Sequence, residues 1–193
     1  MASHFFALFS RMKHMNRWAL MRNVSNENLS THSLEVAAIA HALAVIGNVR
    51  LGRSYNADRA ALLGVYHDMP EILTGDMPTP VKYHNTEIRR AFGEIEAAAQ
   101  QTILDTLPED LKSAYAPLIS LDETDELYVL VKAADKISAL IKCTEEKNSG
   151  NKEFLTAERA TLKAIKKLGC PEADIFLAEF MGSYSMVLDT ILK

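Results

Sequence analysis

The chain has 193 residues, a length that suits one domain with a sizeable core and leaves little room for a second. Hydrophobic residues make up 48% and charged residues 24%, the balance of an ordinary globular protein, which excludes a disordered or fibrous class. The formal charge is -4, and no basic run marks a surface for a nucleic-acid polymer. We therefore expect a single domain over residues 1–193 and no nucleic-acid polymer as partner.

The two cysteines, Cys143 and Cys170, lie far apart and form no Cys-x-x-Cys pair. Neither a disulfide framework nor a thiolate zinc site is indicated, and a reducing cytoplasm is the expected location. No cleavage-site pattern and no uninterrupted apolar segment of membrane length stands out, so we expect no membrane partner.

Apolar residues recur at near-helical spacing from Phe5 onward, interleaved with basic residues, and predict an amphipathic first helix that ends near Asn23. Segment 25–31 is rich in residues that satisfy free backbone donors, and the Ala-rich stretch 34–46 favours a second helix. This places His32 in or near the first turn of the second helix.

The stretch 47–56 carries turn-forming residues and predicts a connection. Asp58 is a suitable cap for a third helix, near whose end the adjacent pair His67 and Asp68 falls. Pro70 removes a backbone donor and clashes with the preceding turn, so the helix should kink or stop close to this pair.

Segment 74–80 reads Thr-Gly-Asp-Met-Pro-Thr-Pro and predicts a fixed loop, because two prolines and a glycine disfavour regular helix. Beyond it, helical periodicity predicts four further helices, over residues 86–107, 127–146, 153–168 and 173–192. We find no convincing strand alternation and predict an all-α fold.

Three of the predicted helices carry residues that could bind a metal. The pair His67 and Asp68 offers one imidazole and one carboxylate, which alone is a weak signal. His32 lies on an earlier helix and Asp135 on a later one, so mixed nitrogen and oxygen donors can converge from three helices. Such donors suit Mn, Fe, Co, Ni or Zn without choosing among them.

Asp135 lies on the flank of an apolar stripe in its helix. A carboxylate in such a place is costly unless a positive group compensates it. The alternatives are a salt bridge with Lys132 or Lys136 and a bound metal, and we favour the metal because both lysines lie on the more polar side.

The order and helical placement of His32, His67, Asp68 and Asp135 resemble those of the HD-domain phosphohydrolases over most of the chain. More narrowly, the chain resembles the bacterial 5'-deoxynucleotidases through five motifs: Arg17-Trp18, Ser30-Thr31-His32-Ser33, Tyr66-His67-Asp68, Glu71 and residues 73–80. The resemblance implies an HD-domain helical bundle with a metal site in its core.

The resemblance further implies hydrolysis of deoxyribonucleoside 5'-monophosphates to deoxynucleoside and phosphate, one divalent transition metal per subunit, and a homodimer. It assigns four residues to the metal: His32, His67, Asp68 and Asp135. It assigns Glu71 to catalysis. It assigns further residues to the nucleotide: Arg17, Trp18, Asp76, Met77, Pro78 and Thr79, with His32, Asp68 and Asp135 also contributing.

Each assignment has a structural alternative. Glu71 could be an exposed acid at a helix end, Trp18 a core anchor, Asp76 a turn former bonded to its own backbone, and Thr79 a residue that fills the turn. Pro70 departs from the family pattern, where a small residue is usual, and puts the aim of Glu71 in question.

Two other functions fit the same residues. One is an HD-type hydrolase of another phosphoester, such as a cyclic nucleotide or a nucleoside triphosphate. The other is a helical binding protein without catalysis. His41 stands among apolar neighbours and is interpreted as a packing residue of the core.

Overall fold

The computed structural model describes residues 2–82 and 84–192, and the side chain of Thr79 lies outside this description. The described part is helical, with a single β-bridge between Asn16 and Asn28, which confirms the all-α prediction. The helices are α1 Phe5–Phe9, α2 Leu29–Arg50, α3 Ala57–Tyr66, α4 Glu71–Thr74, α5 Thr79–Lys82, α6 Thr86–Leu104, α7 Glu109–Ile119, α8 Tyr128–Asn148, α9 Leu155–Lys167, α10 Pro171–Glu179 and α11 Leu188–Ile191. Short 3₁₀ helices cover Ser10–His14, Lys152–Phe154 and Met181–Ser185.

Asparagine side chains begin three of the helices. Asn28, Asn56 and Asn85 each accept a hydrogen bond from the backbone N–H three residues further on, at the starts of α2, α3 and α6. Asn56 therefore takes the capping role that the sequence suggested for Asp58, which lies in the first turn of α3. The cap of α2 fixes His32 in that helix's first turn, as predicted.

The larger apolar cluster joins α2, α3, α8 and α10. Leu43, Leu63 and Ile137 are fully buried in it, and Phe176 closes it from α10. Burying such side chains stabilises a fold by about 1.5–3 kcal/mol each. Helices α2 and α8, which carry most of this cluster, also carry two of the candidate metal ligands.

A second apolar cluster lies at the other end of α2. Phe5 of α1, Met69 of the turn after α3, Ile103 of α6 and Ile119 of α7 are buried together in it. The turn that carries the His-Asp pair is therefore anchored by the residue that follows the pair.

Helices α2 and α3 approach closely at Gly64. A Cβ atom placed there would lie 2.6 Å from Cα of Ala37 in α2, nearer than any side chain could tolerate. A glycine at this point lets the two helices touch through their backbones, and it brings the end of α3 beside the first half of α2.

The first helix is shorter than predicted. It ends at Phe9, a 3₁₀ turn follows to His14, and Met15 is extended. The backbone N–H of Leu29 donates to the carbonyl of Met15 at 2.9 Å, and that of Arg17 donates to the carbonyl of Glu27 at 3.0 Å. The helical prediction as far as Asn23 is wrong because these distant backbone partners replace the helical ones.

Three other expectations need correction. Residues 173–192 do not form one helix, because α10 ends at Glu179 and Gly182 lies in a 3₁₀ turn. Helix α7 was missed because Pro117 was taken for a break, although it lies within the helix. His41 is exposed on α2, not buried in the core.

Helix α2 is long and apolar enough to cross a membrane by length and composition, a segment that the sequence analysis did not recognise. More than half of its most apolar window is buried in this structure. That burial is typical of the central helix of a globular core, whose composition passes the same test.

Candidate metal centre

The four predicted ligands converge where the two apolar clusters meet. His32 comes from the first turn of α2, His67 and Asp68 from the turn after α3, and Asp135 from the middle of α8. One potential ligand atom of each residue lies within 4.8 Å of the corresponding atoms of the other three. The structure thus brings together from three elements the whole set that sequence reasoning singled out.

The hydrogen bonds of His67 define which of its ring nitrogens can bind a metal. Its Nδ1 lies 2.8 Å from the carbonyl oxygen of Gly64. A carbonyl oxygen only accepts, so Nδ1 carries the proton and Nε2 keeps its lone pair. Nε2 faces the cluster, 3.1 Å from Oδ2 of Asp68.

The same reasoning applies to His32. Its Nδ1 lies 3.0 Å from Oγ of Ser138, and that hydroxyl donates its own proton to Oε2 of Glu35 at 2.5 Å. The hydroxyl oxygen must therefore accept from Nδ1–H of His32. Nε2 faces the cluster, 3.4 Å from Asp68 Oδ2 and 3.3 Å from Asp135 Oδ1, and is the nitrogen that can bind a metal once the ring is neutral.

The Nε2 atoms of both histidines are placed to bind a positive partner. Nε2 of His32 and Nε2 of His67 are buried and have no aligned hydrogen-bond donor or acceptor in the described part of the chain. A buried polar atom without a partner is costly unless something binds it. Two imidazoles and two carboxylates fit a divalent transition metal and leave coordination positions open for water and a phosphate oxygen.

The charges around His32 also favour a bound cation at the cluster. Burial and Arg17 act to lower the pKa of His32, yet the carboxylates of Asp135, Asp68 and Glu27 raise it to about 10. Several carboxylates around one imidazole thus create a strong demand for positive charge at this point. A divalent cation between the ligand atoms would meet that demand.

The alternative salt bridge for Asp135 is not formed. Its ion pair in the described part of the chain is with His32, while the ammonium of Lys132 lies over the Tyr128 ring, 5.7 Å from the ring centre. The Asp135 carboxylate therefore faces His32 of α2 and not the lysines of its own helix.

Arg17 borders the cluster. Its Nη1 lies 3.1 Å from Oδ2 of Asp68, and its Nε is buried without an aligned hydrogen-bond partner among the residues that the structure describes. The pKa of Arg17 is raised above its ordinary value, because the attraction of Asp68 and other acids outweighs burial, which acts to lower it. A planar guanidinium with an unused donor beside the candidate metal suits an incoming phosphate.

Trp18 is neither a simple core anchor nor part of a helix. Its φ is 59°, in the left-handed region that side chains with a Cβ rarely adopt. The indole Nε1 donates to Oε2 of Glu27 at 2.7 Å, and the ring packs against Phe154 with centroids 5.2 Å apart. The side chain is partly buried at the edge of the site.

The loop after α4 meets the site through Asp76. Burial raises the pKa of its carboxyl, while the nearby Arg17 and the backbone of Trp18 act to lower it. The Pro78 carbonyl accepts from the N–H groups of Val81 and Lys82, so Pro78 starts the short helix α5. Met77 is half-buried. The predicted contact through the Thr79 side chain falls outside the described residues.

Glu71 lies beside the cluster although its helix is interrupted. Helix α3 ends at Tyr66, Pro70 is buried in the turn, and the N–H of Glu71 donates to the carbonyl of Asp68 at 3.0 Å. The Oε2 atom of Glu71 is buried and has no hydrogen-bond partner among the described residues. Burial, followed by Asp68 and Asp76, raises the pKa of Glu71 to about 9.

Sequence reasoning missed the groups that support the ligands. Glu27, Glu35 and Ser138 contact His32 directly or through one another. Ser138 lies three residues after Asp135 and so shares its helix face, a signal that was present in the sequence. Glu27 lies outside any helix, and its role depends on a backbone pairing that no local pattern predicts.

Comparison with known proteins agrees with this architecture. The family model described as 5'-deoxynucleotidase YfbR-like matches residues 4–184. A protein of Erwinia tasmaniensis named 5'-deoxynucleotidase is 50% identical over 190 residues, which cover 98% of this chain and 96% of that protein.

Two solved structures share the fold. An HD-domain phosphohydrolase of Listeria innocua matches with a TM-score of 0.83 at 22% identity, over 94% of this chain and 88% of that one. The HD phosphohydrolase of cyanophage S-2L, solved with dA and one catalytic Zn2+ ion, matches with a TM-score of 0.67 at 16% identity, over 92% of this chain and 96% of that one. The fold is therefore that of the HD-domain phosphohydrolases, and the chain belongs to the YfbR-like 5'-deoxynucleotidase family.

Proposed function

We propose that this protein is a metal-dependent 5'-deoxynucleotidase that hydrolyses deoxyribonucleoside 5'-monophosphates to deoxynucleoside and phosphate. The observation that carries the proposal is the convergence of two imidazoles and two carboxylates, with Nε2 of both imidazoles buried and without a hydrogen-bond partner among the described residues. Membership of the 5'-deoxynucleotidase family supports the choice of substrate.

His32, His67, Asp68 and Asp135 would hold one divalent metal per subunit, with Co, Mn, Zn, Fe and Ni all suited to the donor set. When bound, such a metal activates water as a nucleophile and neutralises charge on the phosphoryl oxygens. The rings of His67 and His32 are already oriented for metal binding. Nδ1 of His67 is hydrogen-bonded to the carbonyl of Gly64, and Nδ1 of His32 is hydrogen-bonded to Ser138, so Nε2 of each ring faces the cluster.

Arg17 would bind the substrate phosphate. Its guanidinium borders Asp68 and keeps an unused Nε donor. His32, Asp68 and Asp135 line the same space, so a phosphate held by Arg17 would also contact the edge of the ligand cluster. Positioning of this kind supplies much of the catalysis in phosphoryl transfer.

Trp18 would contact the sugar or base, and the segment Asp76, Met77, Pro78 and Thr79 would also contact the nucleotide. The indole ring is held on one side by Phe154 and at Nε1 by Glu27, so it forms a firm wall. A rigid aromatic wall against the sugar can exclude a ribose 2'-hydroxyl by shape.

Glu71 would act as the general acid. With its pKa raised to about 9, the carboxyl is protonated at neutral pH. As the oxygen of water forms its bond to phosphorus, the bond from phosphorus to the 5' oxygen breaks, and Glu71 gives its proton to that oxygen. The proton released by the attacking water restores Glu71.

The test is phosphate release from matched deoxyribo and ribo 5'-monophosphates by chelator-stripped protein resupplied with Mn, Co, Zn or Mg in turn. We expect metal-dependent release confined to the deoxy compounds. The Asp68→Ala variant should hold less metal and release little phosphate. Absence of release with every metal would rule out the proposed activity, and equal rates on both sugars would remove the role of Trp18.

We also propose that the protein is a homodimer. Val45 and Val49 of α2, together with Phe180 and Tyr184, line an apolar groove, and Val49 is 75% exposed. A second copy of the chain would cover this surface. Light scattering should give a dimer mass for the wild type and a monomer mass for Val49→Glu. A wild-type monomer would contradict the proposal.

A cytoplasmic location is likewise a proposal. Cys143 and Cys170 are free and buried, which suits a reducing compartment. Cell fractionation would test it, and recovery of the protein outside the cytoplasmic fraction would contradict it.

A further inference from the structure

Glu27 lies between the nucleotide-facing segment and the metal ligands. Its Oε2 accepts the hydrogen bond from the Trp18 indole at 2.7 Å and lies 3.9 Å from Nε of Arg17. Its Oε1 lies 3.4 Å from Nδ1 of His32. The side chain is only 11% exposed, so water screens these contacts weakly.

The backbone makes the same connection. Two hydrogen bonds, from Arg17 to Glu27 and from Leu29 to Met15, tie segment 15–17 to the start of α2. Because α2 carries His32 in its first turn, the segment and the metal ligand share one anchor. Glu27 adds a side-chain link beside this backbone link.

Trp18 depends on this support. Its left-handed backbone is unfavourable for a residue with a Cβ and persists only where surrounding contacts hold it. The indole has one polar atom, and that atom donates to Glu27. The indole ring also packs against Phe154, with ring centroids 5.2 Å apart.

His32 depends on Glu27 in a different way. Its Nδ1–H lies near two acceptors, Ser138 Oγ at 3.0 Å and Glu27 Oε1 at 3.4 Å. Acceptors at the far nitrogen of a ligating histidine fix its tautomer and make its other nitrogen a better ligand. Ser138 provides this support without touching Trp18, so the two acceptors can be separated by mutation.

We propose that Glu27 is a positioning residue that holds Trp18 and His32 in one arrangement, and so links the choice of sugar to the binding of the metal. A carboxylate can do this because each oxygen serves one donor, whereas an amide has a single acceptor oxygen. The part that concerns the sugar rests on the proposed function, while the parts that concern Trp18 and metal affinity do not.

Three variants separate these effects: Glu27→Gln, Ser138→Ala and, as a matched control, Glu94→Gln on the exposed face of α6. Three readouts apply to each. Intrinsic fluorescence reports Trp18 alone, since it is the sole tryptophan. Zinc titration of chelator-stripped protein against a competing chelator gives metal affinity, and kcat/KM on deoxy and ribo substrates gives the sugar preference.

For Glu27→Gln we expect a shifted Trp18 emission, a loss of metal affinity of about 10–100-fold and a fall of about tenfold in the deoxy-to-ribo ratio. Ser138→Ala should lose metal affinity by a similar factor but keep the emission and the ratio. Glu94→Gln should match the wild type in all three. This pattern would show that Trp18 and His32 are linked through Glu27. A general disturbance of the site would instead change all three readouts in Ser138→Ala as well.

Unchanged emission and unchanged metal affinity in Glu27→Gln would overturn the proposal, whatever the enzyme does to its substrate. A wild type without phosphatase activity would instead defeat the proposed function, and the other two readouts would still decide the role of Glu27. If Glu27→Gln does not fold, Glu27→Asp keeps the charge on a shorter side chain. A wild-type emission and affinity in Glu27→Asp would then overturn the proposal.

Discussion

Burial and two neighbouring acids favour the protonated form of the Glu71 carboxyl. Burial raises its pKa first, and the negative charges of Asp68 and Asp76 raise it further. Within the described part of the chain its buried Oε2 has no hydrogen-bond partner, so this oxygen is available to a ligand. A raised pKa and an unpartnered oxygen together make Glu71 suited to giving a proton.

Replacing Glu71 by Gln keeps the shape of the side chain but removes the proton it could give. We expect kcat to fall by about 10²–10⁴-fold while the bound metal, measured by elemental analysis, stays at the wild-type level. Glu94→Gln, on the exposed surface of α6, should leave both quantities unchanged. Full turnover in Glu71→Gln would remove the assignment.

At the scale of helices, the distance between α2 and α3 determines whether His32 and His67 can share a metal. Their rings are 5.3 Å apart between centroids, and the close approach at Gly64 permits that spacing. The carbonyl of Gly64 also accepts from His67. One residue without a side chain thus contributes both to packing and to the orientation of a ligand.

Gly64→Ala should push α2 and α3 apart, since its Cβ would lie 2.6 Å from the backbone of Ala37. We expect a loss of about 1–3 kcal/mol in the free energy of unfolding, measured in urea, together with weaker zinc binding. Gly93→Ala is the matched control, because no atom lies within 4 Å of a Cβ there. Alanine at this position should stabilise α6 by about 0.5–1 kcal/mol. Equal stability of the two variants would refute the packing argument.

The sequence predicted those elements whose signals are local. The start of α2 at its Asn cap and the break at Pro70 follow from residues close to them in the chain. The segment after His14 could not be predicted in this way, because its hydrogen-bond partners lie beyond residue 26. His41 was misplaced since the outer face of α2 is also apolar, with Leu34 and Val49 exposed.

For the candidate site, the sequence predicted the metal ligands but not the contacts that orient them. The four ligands share one chemistry and lie on three predicted helices, so their residue types indicated a metal before any geometry was known. The contacts that orient them are of another kind. The acceptor for His67 is a backbone carbonyl, which every residue possesses, and the acceptor for the Trp18 indole is reached through a nonlocal pairing.

Across the whole molecule, a buried ion pair attaches the N-terminal segment to α8. The Glu146 carboxylate binds Lys142 of its own helix and accepts from the backbone N–H groups of Val24 and Ser25 and from Asn151. Burial acts to raise the pKa of Glu146, but these partners lower it to about 2. The ionised form is therefore favoured by folding.

This depressed pKa predicts acid sensitivity. The stability that Glu146 contributes is present above its ordinary pKa of 4.5 and is lost as the pH falls from there toward about 2. Glu146→Gln should lower the free energy of unfolding near neutral pH by about 3–5 kcal/mol, because Lys142 is left buried without its partner. Urea unfolding of metal-free protein over a pH series should show this difference shrinking below pH 4.5.

The control is Glu153→Gln, which removes an exposed partner of Arg22 in the same region. Water screens that pair, so its loss should have a much smaller effect. A difference between wild type and Glu146→Gln that stays constant from neutral pH down to the acid range would contradict the argument.

The pairing of residues 15–17 with 27–29 closes a loop whose two ends are neighbours in space. Arg17 and Trp18 lie inside this loop, whereas all four candidate metal ligands lie outside it. Arg17 and Trp18, which we propose contact the nucleotide, therefore lie on a different stretch of the chain from the proposed metal ligands, and the two stretches touch through the Arg17–Asp68 ion pair and through Glu27. We predict that replacing this loop with a relative's, while keeping Arg17 and Glu27, would alter which nucleotide is accepted and leave the four proposed metal ligands in place.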